Sequence, residues 1–175
     1  MTSSFICLYL SAKVELIIRN VKKEDLPELV VIEQLCFSPA EAATRAAFAR
    51  RIQFIPDSFF IAEANGSIIG LVNGPVINTA FITDDLFGDI KENPAFGGHQ
   101  SILGLAVAPA FQKRGIASKL LTHLEKEARM KQRETITLTC KENLIHFYES
   151  HGYLNNGVSS SEHGGAIWYN MSKKL

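Results

Sequence analysis

The chain has few cysteines, no net charge and no long apolar run. Its three cysteines, Cys7, Cys36 and Cys140, are odd in number and lack C-x-x-C spacing. That argues against a disulfide framework and against the common zinc and redox arrangements; they read as reduced thiols in or near the core of a cytoplasmic protein. Eighteen Lys and Arg balance eighteen Asp and Glu, so no overall field recruits nucleic acid or an anionic membrane. The apolar run over residues 5–10 is far shorter than the ~20 residues a bilayer span needs, and no basic segment precedes it. The expectation is an N-terminal extension over 1–14, either an added edge strand or a tail, ahead of a single domain over 15–175. An exposed strand there offers an edge for pairing in a homodimer. No internal repeat, low-complexity tract or metal-ligand pattern occurs. With 46% hydrophobic and 21% charged residues, the composition is that of an ordinary globular domain.

The chain is organised around residues 101–118, SILGLAVAPAFQKRGIAS. An apolar run over 102–107 gives way to Ala-Pro-Ala-Phe and then to Gln112-Lys113-Arg114-Gly115-Ile116-Ala117. Ile116, Leu120, Leu121, Leu124 and Ala128 then recur on one helical face. This is strand, turn and helix, with small residues at the junction and two cations beside it. Free amides in a helix's first turn, aided by the dipole, suit an anion such as pyrophosphate. An ordinary strand-to-helix turn with two solvated cations has the same outline.

Elsewhere the patterns predict a strand over 15–21, a helix from 23 to 37, an Ala-rich surface or lid helix over 41–55, and a hairpin of 59–64 and 67–74 around Asn65-Gly66. Residues 76–98 read as an insertion loop, with Phe81, Leu86 and Phe87 to anchor it or line a pocket. A single strand over 101–107 is apolar on both alternations, as a doubly covered strand is, and Gly104 hints at a bulge. A helix to about 132, a strand over 135–140, a short helix over 144–150 and strands over 153–156 and 166–172 complete an α/β mixed sheet with helices on both faces. Within the first helix, Glu33 falls on the apolar stripe. A carboxylate there either meets a cleft or a buried partner such as Arg19, or acts as a general base. Tyr148 shares a face with Leu144 and Phe147, which also fits a packing tyrosine.

These residues resemble the GNAT superfamily of acetyl-CoA-dependent N-acetyltransferases. Its phosphate-binding signature, Gln/Arg-x-x-Gly-x-Gly/Ala, corresponds to Gln112 through Ala117. Leu105-Ala106-Val107 precedes it, and Asn143, Phe147-Tyr148-Glu149 and Gly152-Tyr153 follow the next strand. The similarity covers roughly 15–171. Within the superfamily the chain looks most like arylalkylamine N-acetyltransferases, through Gly97-Gly98-His99, Ile32 to Phe37 and Leu138 to Tyr148. The resemblance implies a GNAT-type fold and a ternary complex in which an amine attacks acetyl-CoA directly, without a metal. It implies that Leu105, Ala106 and Val107 border the pantetheine arm, that Gln112, Lys113, Arg114, Gly115, Ile116, Ala117 and Ser118 hold the pyrophosphate, that Asn143 contacts the CoA arm, and that Tyr148 is the general acid. The two strand histidines of arylalkylamine acetyltransferases are replaced by Ser101 and Leu103. Glu33, His99 or ordered water remain as the base, and Glu33 with water is favoured. His146 and His163 read as surface or structural residues, and Cys140 as core. The expected acceptor is a small aryl- or alkylamine. The alternatives are a protein N-terminus or lysine, and a non-catalytic acyl-CoA sensor.

Overall fold

The computed structural model describes residues 15–87 and 90–175; the strand or tail expected over 1–14, with Cys7, lies outside them. The apolar stretch read as one strand is two. β5 (His99–Ile102) and β6 (Gly104–Val107) separate at Leu103. The physical cause is a bulge: Gly104 pairs with Asn73, yet Leu103 also donates its amide to the Asn73 carbonyl at 2.8 Å. Two residues thus oppose one, and the strand turns. A Cβ at position 104 would lie 3.2 Å from Asn73 Nδ2, so a bare backbone suits this point of closest approach.

The break sends the two halves into different sheets. β1 (Leu16–Asn20), β2 (Phe59–Ala64), β3 (Ser67–Asn73) and β6 form an antiparallel sheet in the order β1-β2-β3-β6. A second sheet has the order β4-β5-β7-β9-β8, with β4 (Val76–Ile77), β7 (Thr135–Cys140), β8 (Leu154–Val158) and β9 (Tyr169–Lys174). β5 and β7 run parallel, whereas β6 pairs only with β3 among the described strands. A cleft therefore opens between β6 and the end of β7.

Both faces of the first sheet are covered. Phe60, Ala62 and Ala64 of β2 face α3 (Ile116–Met130), where the predicted stripe of Ile116, Leu120, Leu121, Leu124 and Ala128 is buried. Phe59 and Ile61 pack with Leu29 and Ile32 of α1 (Leu26–Cys36) and with Phe48 and Ile52 of α2 (Arg45–Phe54). Each buried Leu, Ile and Phe side chain among these contributes roughly 1.5–3 kcal/mol of transfer free energy. The hairpin turn is as expected, with φ of 50° at Asn65 and 78° at Gly66.

α2 differs from its sequence reading. It starts only at Arg45, because the Glu41 and Ala42 amides turn back to the Ser38 carbonyl and Thr44 caps the helix by accepting from Ala47 N at 3.1 Å. It is a surface helix, as read, with one face of Phe48, Arg51 and Ile52 buried. The insertion over 76–98 carries β4 and a short 3-10 turn, Asp84–Phe87. The final strands begin later than predicted, because Tyr153 turns into the core and its hydroxyl donates to Glu125 at 3.2 Å. Helix α4 spans Ile145–Ser150. No helix among the described residues is long and apolar enough to cross a membrane.

Candidate active site

The open edge of β6 follows from its hydrogen-bond phase. Ala108 donates to the Ile69 carbonyl at 2.8 Å, so Ala106 and Ala108 turn their amides and carbonyls to β3. In an antiparallel ladder the intervening residues turn away, which directs those of Leu105 and Val107 to the cleft. The Val107 carbonyl is met there by Cys36 Sγ at 3.2 Å and Gln112 Nε2 at 3.0 Å. Gln112 thereby ties the loop after β6 to the strand itself. Lys113 and Gly115 have φ of 59° and 76°, a left-handed pair that brings the chain abruptly into α3. Gly115 is the N-cap, and a Cβ there would meet nothing within 4 Å. The first-turn amides of α3 have no intrahelical acceptor, and they open beside the β6 edge. Arg114 sits over the Phe111 ring, 5.5 Å from its centroid. His151 flanks the turn, with Nδ1 2.8 Å from the Phe147 carbonyl and Nε2 2.9 Å from Ser118 Oγ. The first contact makes Nδ1 a donor to the carbonyl, and the second ties the ring to the first turn of α3 through Ser118.

Leu103, Gly104 and Leu105 form one wall of the cleft, and Leu138, Thr139 and Cys140 the other. Tyr148 lines it from α4, only 6% exposed, with its ring edge-on to Phe147 and Tyr153. Burial and the adjacent Cys140 raise its pKa above the ordinary phenol value. The phenol therefore holds its proton at neutral pH. Burial likewise pushes Cys140 up to about 11, so it stays a thiol and a wall of the site, consistent with its reading as core.

Glu33 also lines the cleft, and its inward placement on α1 is as the stripe predicted. It is 4% exposed, and Oε1 accepts from Ala43 N at 2.8 Å. Its partner is not Arg19, which is held by Asp25 and Glu63. Burial raises the Glu33 pKa, opposed by the Ala43 amide and the charge of Arg51. Arg51 is 2% exposed, and burial lowers its pKa to about 10, so it stays cationic at neutral pH. A second cavity adjoins the first through Glu33, Glu41, Leu103 and His163, and is lined further by Ala43, Thr44, Ala47 and Arg51.

Of the two roles read for His163, surface or structural, the second fits: it lines both cavities with Nε2 3.1 Å from the Glu41 carbonyl. His99 is absent from both linings; its Nδ1 is 2.8 Å from Thr135 Oγ1, at the far end of β5. None of the described residues of 76–98 lines either cavity. Instead Asp84 accepts from Ser161 Oγ at 2.5 Å and from Glu162 N at 3.1 Å, fixing the loop that presents His163. Ser101 is fully buried against the Pro75 carbonyl, while Leu103 lines the cleft. Asn143 is exposed at the start of the turn before α4. Sequence reasoning missed Arg51, Asn73, Glu41 and Trp168. Of these only Arg51 left a trace, as a cation on the apolar face shared by Phe48 and Ile52. Among the described residues no cluster of three His, Cys, Asp or Glu is placed to hold a metal.

A central strand that splits between two sheets at a bulge leads through a left-handed turn into an amphipathic helix. The acetyltransferase (GNAT) family model matches residues 26–153, and the chain belongs to that family. It is 34% identical over 79 residues to an acetyltransferase of Pectobacterium atrosepticum, a match spanning 45% of this chain and 42% of that protein; it thus covers less than half of the relative's length. Solved structures share the fold. A GNAT-like decarboxylase, GphF, in complex with isobutyryl-CoA superposes with a TM-score of 0.76 at 20% identity, covering 90% of this chain and 98% of that one. Naa50 of Arabidopsis thaliana, in complex with a CoA-peptide bisubstrate analogue, gives 0.72 at 17% identity, covering 93% and 100%. A ribosomal-protein alanine N-acetyltransferase of Escherichia coli gives 0.67 at 19% identity, covering 92% and 94%.

Proposed function

We propose that this protein transfers an acetyl group from acetyl-CoA to a small primary amine, of aryl- or alkylamine type, in a ternary complex. The observation that carries the reading is the unpaired β6 edge at a cleft that also receives Tyr148 and Glu33. A pantetheine arm can add to Leu105 and Val107 as an extra strand does, with Ala106 between them and Asn143 alongside. The amides from Lys113 to Ser118 then meet the pyrophosphate, with Gln112 bracing the loop. The amine nitrogen attacks the thioester carbonyl carbon and forms the C–N bond. Glu33 Oε2, directly or through water, takes the nitrogen's proton. The C–S bond breaks, and Tyr148 gives its phenolic proton to the sulfur, releasing CoA as a thiol. A small acceptor is favoured because the cavity is bridged. Lys141 Nζ meets Glu41 Oε1 at 2.5 Å, and His163 contacts the Glu41 carbonyl from the opposite loop.

Free-thiol release from acetyl-CoA across arylalkylamines, alkylamines, amino acids, polyamines and short peptides tests the reading. Release with small amines supports it. Release with peptides alone replaces it by protein acetylation, and tight acetyl-CoA binding with no release by any acceptor replaces it by a sensor. The base assignment has its own test. With its pKa raised by burial, Glu33 is protonated and inactive at low pH, and kcat/KM rises as it ionises. Glu33→Gln is expected to remove that acidic limb and lower kcat/KM about 100-fold or more. An unmoved limb transfers the role to water or another group.

A further inference from the structure

The second cavity is lined by two buried polar groups that lack partners among the described residues, Arg51 Nε and Glu33 Oε2, and a third, Asn73 Nδ2, lies nearby behind Gly104. Arg51 and Asn73 are 2% and 0% exposed, and Arg51 Nη1 donates to Asn73 Oδ1 at 3.0 Å. That bond occupies Asn73 Oδ1 and orients the guanidinium, and Arg51 Nε is left as the unpartnered donor at the cavity. Arg51 lines this cavity directly; Asn73 Nδ2 lies behind Gly104, which lines the adjoining one. Donors thus stand on one side and a carboxylate oxygen on the other, at a place continuous with the reaction cleft. Buried polar groups in native proteins are almost always satisfied, by protein, water or ligand. The guanidinium sits over the Phe48 ring, 5.7 Å from its centroid, a contact that holds its plane but leaves Nε without an acceptor.

We propose that this cavity binds the acceptor as an α-amino acid, its carboxylate held by Arg51 with Asn73 behind it and its amino group directed to Glu33. This inference rests on the transfer reading above and narrows its substrate. The charges support it. Arg51 and Glu33 together are neutral, and so is an amino acid zwitterion, so binding leaves no buried charge uncompensated. An amine without a carboxylate would satisfy Glu33 and leave the guanidinium without an anion. A peptide N-terminus would offer Arg51 only a neutral carbonyl, a weaker partner than a carboxylate. Short side chains at Ala43 and Ala47 on the same wall leave room for the amino acid's own side chain.

The test uses matched acceptors with the full chain and acetyl-CoA: alanine, leucine, phenylalanine, glutamate and lysine, each against its amide and its decarboxylated amine. The expected result is a kcat/KM about 10–100-fold higher for at least one acid than for its amide and amine. Arg51→Gln is expected to bring that ratio close to one, and Arg51→Lys to restore part of it. If Arg51→Gln does not fold, the wild-type ratios decide alone. Equal rates for acid, amide and amine overturn the inference while the transfer reading stands, and assign the orphaned groups to water. Preference for the amides overturns it in favour of a peptide N-terminus. Silence with every acceptor overturns the transfer reading and this one with it. An unchanged ratio in a folded Arg51→Gln variant removes Arg51 from recognition.

Discussion

Tyr148→Phe is expected to lower kcat about 100- to 10,000-fold while acetyl-CoA affinity stays that of the wild type. The phenol's surroundings separate proton donation from packing. Phe147 and Tyr153 hold the ring edge-on, and phenylalanine keeps both contacts, so only the hydroxyl is lost. Burial and Cys140 raise the phenol's pKa above its ordinary value; the group is protonated throughout the neutral range and loses its proton only at high pH. A donor is needed because the sulfur leaves the tetrahedral intermediate as a thiolate, and protonating it as the C–S bond breaks stops it from adding back to the carbonyl carbon. Single-turnover thiol release, paired with calorimetric acetyl-CoA binding, checks both halves. Wild-type turnover in the variant reduces Tyr148 to a packing residue.

Gly115→Asp is expected to weaken acetyl-CoA binding about 100-fold or more, and Gly115→Asn far less. Asparagine and aspartate both tolerate the left-handed conformation that φ of 76° imposes, and a Cβ there meets nothing within 4 Å. The two variants therefore share their backbone strain and differ in one charge. A carboxylate at the N-cap of α3 would gain from the helix dipole, so the fold is not penalised. It would occupy the field that a pyrophosphate needs, and two anions within about 4 Å repel by several kcal/mol at an effective dielectric near 20. Titration calorimetry with acetyl-CoA and with CoA reads the difference. Equal affinities for both variants move the phosphates away from the Lys113–Ser118 turn.

Glu33 illustrates how far one chain position can be read. Its place on the α1 stripe predicts burial, and burial predicts a raised pKa; both follow from helical periodicity alone. What it faces does not. Arg19 is nearer in sequence but lies on β1, where Asp25 and Glu63 already hold it. Arg51 reaches Glu33's field only because α1 and α2 pack side by side on the same face of the first sheet.

The places of His163 and His99 are likewise set by tertiary structure. His99 borders the central strand, yet β5 carries it to the end opposite the bulge. His163 comes from a Ser/Gly-rich loop without periodicity, and Asp84 from the insertion fixes that loop against the cavity.

The sequence by itself determined the strand–turn–helix of 101–118, the buried stripe of α3, the Asn65-Gly66 hairpin and the family, because each rests on local period, turn chemistry or a contiguous motif. Only the tertiary structure decided that the central strand breaks at Leu103, that the break leaves the Leu105–Val107 edge of β6 without a strand neighbour among the described residues, and that Arg51 meets Asn73. Those outcomes depend on pairings between residues tens of positions apart, and such pairings are set by how the sheets and helices pack rather than by any local pattern.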